Sequence, residues 1–279
     1  MTENRATLLL ILLAFVWSIS LMMIPRAVSQ MGTGLFLMSR FLIAYLLVSI
    51  IYRRQIRSIK FKDISRGAIL GFLVFLLYLF QSVSLSKASS FEEATLLSIS
   101  IVLIPFLSVF IFKAKPSKVE VIATIVCIVG LCLLGSIPDV ISLLSILLIA
   151  LHIVFTAHFV KESNPVHLVV AQTAVGTICS MFVCNKDIPT GVDLISWGIV
   201  FYTAIIATTW GLLTQTRAQR VVSPVKIGLI LTLQPCFIGL ICMSFGLYQV
   251  SSVEVIGIGL ILGGLVAICK GRGKNAQEV

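Results

Sequence analysis

Ten apolar runs divide this chain, at residues 6–25, 33–52, 66–86, 93–112, 119–136, 141–160, 166–184, 194–216, 224–245 and 253–270. Each is long enough to cross about 30 Å of hydrocarbon as a helix, which takes roughly 17 to 25 residues. Of the 279 residues, 58% are hydrophobic and only 11% charged, more apolar surface than a soluble domain of this size buries. The expected fold is therefore an all-α polytopic membrane protein, with the lipid bilayer as solvent.

The formal net charge of +10 does not point to nucleic acid once its placement is considered. Alternate loops collect the basic residues: Arg53 to Arg66, then Lys113, Lys115 and Lys118, then Lys161, then Arg217, Arg220 and Lys226, then Lys270, Arg272 and Lys274. With Arg5, that side holds seventeen of the 21 Lys and Arg; the opposite loops hold Arg26, Lys87 and Lys186, and Arg40 lies inside a run. This asymmetry predicts a multi-pass protein of the inner (cytoplasmic) membrane with both termini cytoplasmic. Arg5 precedes the apolar stretch Leu8 to Val16 as in a signal peptide, but no small-residue cleavage site follows, so the run is expected to remain as the first helix. The seven cysteines form no Cys-x-x-Cys pair and read as small hydrophobes in the membrane.

The chain also repeats itself. Gln81, Ser89, Ser117, the Val119-Glu120-Val121-Ile122 run and Gly130-Leu131 are answered 134 positions later by Gln215, Ser223, Ser251, Val253-Glu254-Val255-Ile256 and Gly264-Leu265. Matches between Leu-rich segments come cheaply, so the polar residues and glycines carry the argument. The period is about five spans. An odd number inserts the two copies in opposite orientations, the inverted-repeat plan of many secondary transporters. Residues 1–136 form the first expected repeat, 137–270 the second, and 271–279 a short polar cytoplasmic tail.

Several polar and aromatic residues fall well inside the runs. Trp17, with Ser18 and Ser20 beside it, and Trp210 lie deep where tryptophan normally prefers the interfaces, which fits either helix packing or the aromatic wall of a cavity. Tyr78, Gln81 and Ser82 share a helical face, and Gln81 has Gln215 as its repeat partner; the two amides suit interhelical bonding or ligand recognition equally. His152, Phe155, Thr156 and Phe159 form another face by their i, i+3, i+4, i+7 spacing. His152 is either satisfied by a neighbouring helix or touches substrate or a transported proton. Arg40 either snorkels or pairs with Glu92 or Glu93, or meets an anionic group of the substrate. Pro105 and Pro235 remove backbone hydrogen bonds and should kink their helices, although they do not share the 134-residue offset. Gly259 and Gly263 have small-xxx-small spacing, which suits packing within the chain or between two chains of a homodimer.

No Walker-type loop, His-Glu-x-x-His or paired-carboxylate site is present. No enzyme activity, cofactor or metal is expected. Glu92, Glu93, Glu120 and Glu254 fall at span ends, which disfavours a carboxylate proton relay and leaves His152 as the mid-depth titratable candidate, or no coupling ion at all.

Taken in order, these segments resemble the EamA family of the drug/metabolite transporter superfamily. The resemblance rests on Trp17-Ser18 with Pro25, Ser39-Arg40-Phe41, Gln81 to Leu85 with Ala88-Ser89-Ser90, Pro105 to Ser108, Thr214-Gln215 through Arg220 to Ser223-Pro224, Leu233-Gln234-Pro235, and Leu260 to Gly264. It implies ten helices in two inverted five-helix repeats around a central cavity, and transport of a small metabolite, frequently efflux of amino acids and their analogues. Relatives often carry Leu-Glu-Pro where this chain has Leu233-Gln234-Pro235, and Gly-Glu where it has Gly246-Leu247, which weakens any carry-over of cation binding or proton coupling. The expected substrate-binding residues are Trp17, Ser20, Tyr78, Gln81, His152, Thr156, Gln172, Trp210 and Gln234. Their aromatics would hold an apolar or cationic portion of a small-molecule substrate, and their amides and hydroxyls would orient it. A non-transport membrane scaffold or regulator is the competing reading.

Overall fold

The computed structural model describes residues 1–113, 115–134, 139–184, 191–246 and 251–270, with 268–270 by backbone alone. Lys186, Leu247 and the tail 271–279, with Arg272 and Lys274, lie outside the described residues, as does the stretch 135–138 at the end of the fifth expected span. Among the described residues there is no strand. Nine long helical stretches carry the chain among the described residues, beside a four-residue helix at Arg53–Ile56: α1 Glu3–Ile51, α2 Phe61–Ser84, α3 Ser90–Phe112, α4 Lys118–Leu133, α5 Val140–Phe159, α6 Pro165–Val183, α7 Leu194–Ala218, α8 Pro224–Ser244 and α9 Ser252–Lys270. Seven of these are long and apolar enough to cross a membrane: all except α4 and α9.

The first two expected helices are not separated by a loop. They run as one 49-residue stretch, and Pro25 sits inside it rather than closing a helix. The interruption is a single residue, Gly32, with φ 74° and ψ 156°. Nothing lies within 4 Å of the place where its Cβ would be, so glycine is required there by backbone conformation and not by crowding. The stretch cannot be straight. Trp17 and Arg40 would then lie about 35 Å apart at 1.5 Å per residue, yet they bond to the consecutive residues Ala207 and Thr208. At its two ends Glu3 pairs with Lys226 at 2.7 Å and Tyr52 accepts from Arg217 at 3.0 Å. The chain doubles back at Gly32 and returns to the end it left.

Pro25 still has its usual effect. Its missing N–H frees the carbonyl of Leu21, which accepts instead from the Ser90 hydroxyl at 3.1 Å. Pro105 and Pro235 lie in helices broken nearby, α3 at Ile99 and α8 at Thr232. Those breaks are 133 positions apart. The kinks thus keep, within one residue, the repeat offset that the prolines themselves do not.

The repeated serines cap helices. Ser89 and Ser117 each form a capping box with the glutamate three residues on, Glu92 and Glu120. Ser251 and Glu254 exchange the same pair of bonds, at 2.7 and 3.3 Å, and Ser223 caps α8 through the Lys226 N–H. Each serine satisfies a backbone donor that the first helical turn leaves orphaned. Ser223 also reaches the Glu120 carboxylate, joining the caps of the two halves.

Glycines set the closest helix crossings. A Cβ on Gly130 of α4 would lie 2.7 Å from the Gly257 oxygen of α9, and one on Gly257 would lie 2.7 Å from the Gly130 oxygen. The same seam carries Cys127 against the Ile261 carbonyl at 3.8 Å and Gly264 against Ala123 and Cys127. Gly259 and Gly263, the expected packing pair, have open space beside them; within the chain, packing falls to Gly257 and Gly264. On the outer faces Phe72, Phe106, Phe110 and Phe182 are exposed, as lipid-facing positions require.

Polar contacts tie the loops at the end where α1 starts and finishes. Glu162 accepts from Lys62 and Arg66, both at 2.6 Å, and these two cations hold its carboxyl down at about 2, the Lys62 hydrogen bond contributing most. His167 sits between the Asp63 carboxylate at 2.7 Å and the Gln55 carbonyl at 2.9 Å. At the opposite end Arg26 pairs with Asp193 at 2.7 Å.

Candidate functional site

A narrow cavity of about 40 Å³ lies where α1, α2, α3, α5, α7 and α8 converge. It has room for about three water molecules. The first arm of α1 contributes Trp17, Ser20, Leu21 and Ile24, an i, i+3, i+4, i+7 set, and α2 contributes Val74, Leu77, Tyr78 and Gln81 in the same spacing. Ile149 and His152 come from α5, Leu212 and Gln215 from α7, Leu97 from α3 and Gln234 from α8, with Arg40 from the second arm of α1. Gln81 and Gln215, repeat partners in sequence, therefore face one space.

The wall around Arg40 is built on an unusual turn. Thr203–Trp210 within α7 is π-helical, so Gly211 N–H bonds Ile206 five residues back and the Ala207 carbonyl is left to accept the Trp17 indole at 2.8 Å. Gly211 lets that indole approach: a Cβ there would meet Trp17 Nε1 at 2.9 Å. The next residue, Thr208, accepts from Arg40 Nε at 2.7 Å. Such π turns recur at functional sites because they release backbone groups.

Arg40 does not snorkel. It lies about 12 Å along its helix arm from Gly32, and is 2% exposed. Its guanidinium carbon stands 4.0 Å from the centre of the Tyr78 ring, and that ring is stacked on Phe41 at 5.6 Å. The expected pairing with Glu92 or Glu93 is not formed. Glu92 is committed to its capping box. Glu93 is fully buried, with one carboxylate oxygen on the Ser84 hydroxyl and the other without a partner. A charge deep in a bilayer costs about 2.5 to 3.5 kcal/mol on insertion scales; here one hydrogen bond and one aromatic face offset part of that cost.

His152 meets Gln172 across α5 and α6, Nε2 to Oε1 at 3.3 Å. Gln172 is fully buried behind the histidine, with its amide nitrogen unpartnered, and does not line the cavity. Thr156 is likewise buried and unpartnered one turn away, and Trp210 packs half-buried against the core. Six of the nine expected substrate-binding residues are thus brought together: Trp17, Ser20, Tyr78, Gln81, His152 and Gln234. Thr156, Gln172 and Trp210 stand outside. The indole N–H of Trp17 is used internally, and the Tyr78 face offered for a cationic group is already covered by Arg40. Among the described residues no cluster of His, Cys, Asp or Glu could hold a metal ion.

Comparison with known proteins agrees with this architecture. The model of the EamA-like transporter family matches twice, at residues 4–136 and 137–269. An uncharacterized transporter of Archaeoglobus fulgidus is 27% identical over 267 residues, covering 92% of this chain and 83% of that protein. A solved structure described as "Crystal structure of protein" superposes with a TM-score of 0.72 over 95% of this chain and 96% of its own at 16% identity, so the fold is shared. The chain belongs to the EamA-like transporter family and is a multi-pass membrane protein.

Proposed function

We propose that this EamA-family protein is a secondary carrier, an exporter or facilitator, that moves a small polar or amphipathic metabolite by alternating access around the cavity between its two halves. The observation that carries the reading is the meeting of Gln81 and Gln215 in one cavity, since equivalent side chains from two repeats converge where a solute would cross. Trp17, Ser20, Tyr78, His152 and Gln234 complete the wall. The cavity is narrower than a metabolite, so loading requires the helices around it to part.

On this reading the chain crosses the membrane ten times. The two arms of α1 are separate crossings and α4 and α9 cross as well, with five helices in each of two inverted repeats and both termini on the cytoplasmic side. What supports inversion is the α4–α9 seam. Gly257 corresponds to Ala123 by the 134-residue offset, Gly264 to Gly130 and Ile261 to Cys127. The contacts Gly130 with Gly257, Ala123 with Gly264 and Cys127 with Ile261 are therefore each other's images, as antiparallel copies about a two-fold axis would make. The second arm of α1 and α6 cross in the same manner, with Phe41 against Gly176. What supports cytoplasmic termini is the gathering of Glu3, Tyr52, Arg66, Glu162, Arg217 and Lys226 at the basic end.

Flux of a labelled panel of amino acids, organic acids, nucleosides and cationic amines through proteoliposomes tests the proposal. Saturable movement of one class, absent from protein-free vesicles, is the expected result. Intact, well-folded protein that moves none of them would favour a scaffold.

A further inference from the structure

We propose that the transported solute is a small organic anion, whose carboxylate or equivalent acidic group docks on the free end of Arg40 while its apolar remainder lies against Leu21, Leu77 and Leu212. This rests on the carrier reading above and narrows it to a substrate class.

Arg40 is a charge without a counter-charge. It is 2% exposed and lines the cavity. Its Nε is satisfied by Thr208. The two terminal nitrogens have no hydrogen-bond partner among the described residues, yet they are not among the polar atoms sealed from the cavity space. The Tyr78 ring supplies a partial attraction, not a compensating charge. Among the described residues none around the cavity is acidic, and the partners expected from the sequence are used elsewhere, Glu92 in its cap and Glu93 with Ser84. Buried charges in proteins are paired. Here the protein leaves the partner's place open on the cavity.

The shape of that place selects the ligand. A guanidinium whose Nε is fixed presents its remaining nitrogens as a planar fork, which carboxylates and phosphates accept in bidentate fashion. Half of the remaining wall residues are aliphatic and Trp17 and Tyr78 add aromatic surface, so an acid with an apolar body is favoured over a highly polar one. A cationic amine finds a fixed positive charge, no carboxylate and a Tyr78 face already covered. The unpaired side-chain amides of Gln81, Gln215 and Gln234 remain to orient polar groups on the body of the solute.

Two sources could supply the anion, an organic acid or an inorganic ion such as chloride, and one experiment separates them. The full-length protein in detergent is titrated with shape-matched acid and amide pairs (acetate and acetamide, isovalerate and isovaleramide, benzoate and benzamide) with sodium balanced as chloride. Tryptophan fluorescence and melting midpoint are both read, and Trp17→Phe identifies the part of the optical signal that arises at the cavity. At least one acid should bind about tenfold more tightly than its amide, a difference of about 1.4 kcal/mol. Arg40→Gln should abolish that preference. Since the comparison is made on the unaltered protein, it stands even if Arg40→Gln does not fold. Equal response to acid and amide overturns the proposal and leaves the carrier reading intact. So does flux of a neutral or cationic solute with no response to any acid. Saturation by chloride that no acid displaces would make the ion a fixed counter-charge and also overturns it. Absence of flux for every class removes the carrier reading, and this proposal with it.

Discussion

Arg40 donates its Nε hydrogen to Thr208 Oγ1 at 2.7 Å, one residue after the carbonyl that receives the Trp17 indole. A single π-helical turn of α7 therefore fastens both arms of the α1 hairpin, and fixes the one formal charge of the cavity wall among the described residues. Thr208→Val keeps the volume and removes the acceptor. Leaving a buried donor unsatisfied costs about 1 to 3 kcal/mol, and more when the donor is charged, so the melting midpoint of the purified protein should fall by several degrees. An unchanged midpoint would mean that the bond holds nothing in place.

The α4–α9 seam makes a contrast within one helix. Gly257→Ala drives a methyl to 2.7 Å from the Gly130 carbonyl oxygen, and backbone cannot swing aside. Overpacking of this kind costs about 1 to 3 kcal/mol. Gly259→Ala, two positions on, meets open space and should leave the monomer's melting midpoint unchanged or raise it, since alanine favours a helix interior over glycine by up to about 1 kcal/mol. Equal effects of the two substitutions would contradict the seam.

The cavity amides should show in transport kinetics. Gln81→Leu and Gln215→Leu each remove one neutral hydrogen-bonding group worth about 0.5 to 1.5 kcal/mol. Apparent affinity for the transported solute should fall by roughly three- to tenfold, with little change in expression or melting. If the KM for that solute is the same in both variants as in the parent, the amides are structural.

Acid sensitivity can be assigned at the basic end. Glu162 has its carboxyl lowered from 4.5 to about 2 by Lys62 and Arg66. A depressed carboxylate contributes stability that is fully present above its unfolded value near 4.5 and is lost as pH falls through about 2. The difference in melting midpoint between the parent protein and Glu162→Gln should be constant from about pH 7 to about 5 and shrink toward zero below that. A gap that widens on acidification would reverse the sign and refute the assignment.

Much of the architecture was legible because membrane spans and caps are local. The apolar runs located the helices, and the repeat marked by Ser89, Ser117, Ser223 and Ser251 proved to be a set of N-caps, which depend on only three or four neighbouring residues. The one-residue turn at Gly32 was not legible, since an apolar run read by composition does not reveal how sharply glycine bends it. Within the site, Tyr78 and Gln81 were read from helical spacing and Trp17 from its depth in the span. The same spacing extends to Leu21, Ile24, Val74 and Leu77, whose plain aliphatic side chains do not set them apart from lipid-facing neighbours. Trp210 was misplaced for a different reason. It was named for its depth in the span, which does not fix its face, and at about 100° per residue it lies on the side of α7 away from the cavity residues Leu212 and Gln215. Thr156 shares a face with His152, but the cavity is too small to extend one turn further. The repeat offset of the helix breaks at Ile99 and Thr232 was hidden because their prolines are placed differently relative to them.

The most direct test of the carrier reading is two-sided access to the cavity. A single cysteine at Gln215, in a background with the native cysteines replaced, is probed in vesicles of known orientation with a membrane-impermeant thiol reagent added to one side at a time. Alternating access predicts modification from either side, slowed from both by a solute that the protein transports. Modification from one side only, whatever solute is present, would contradict it.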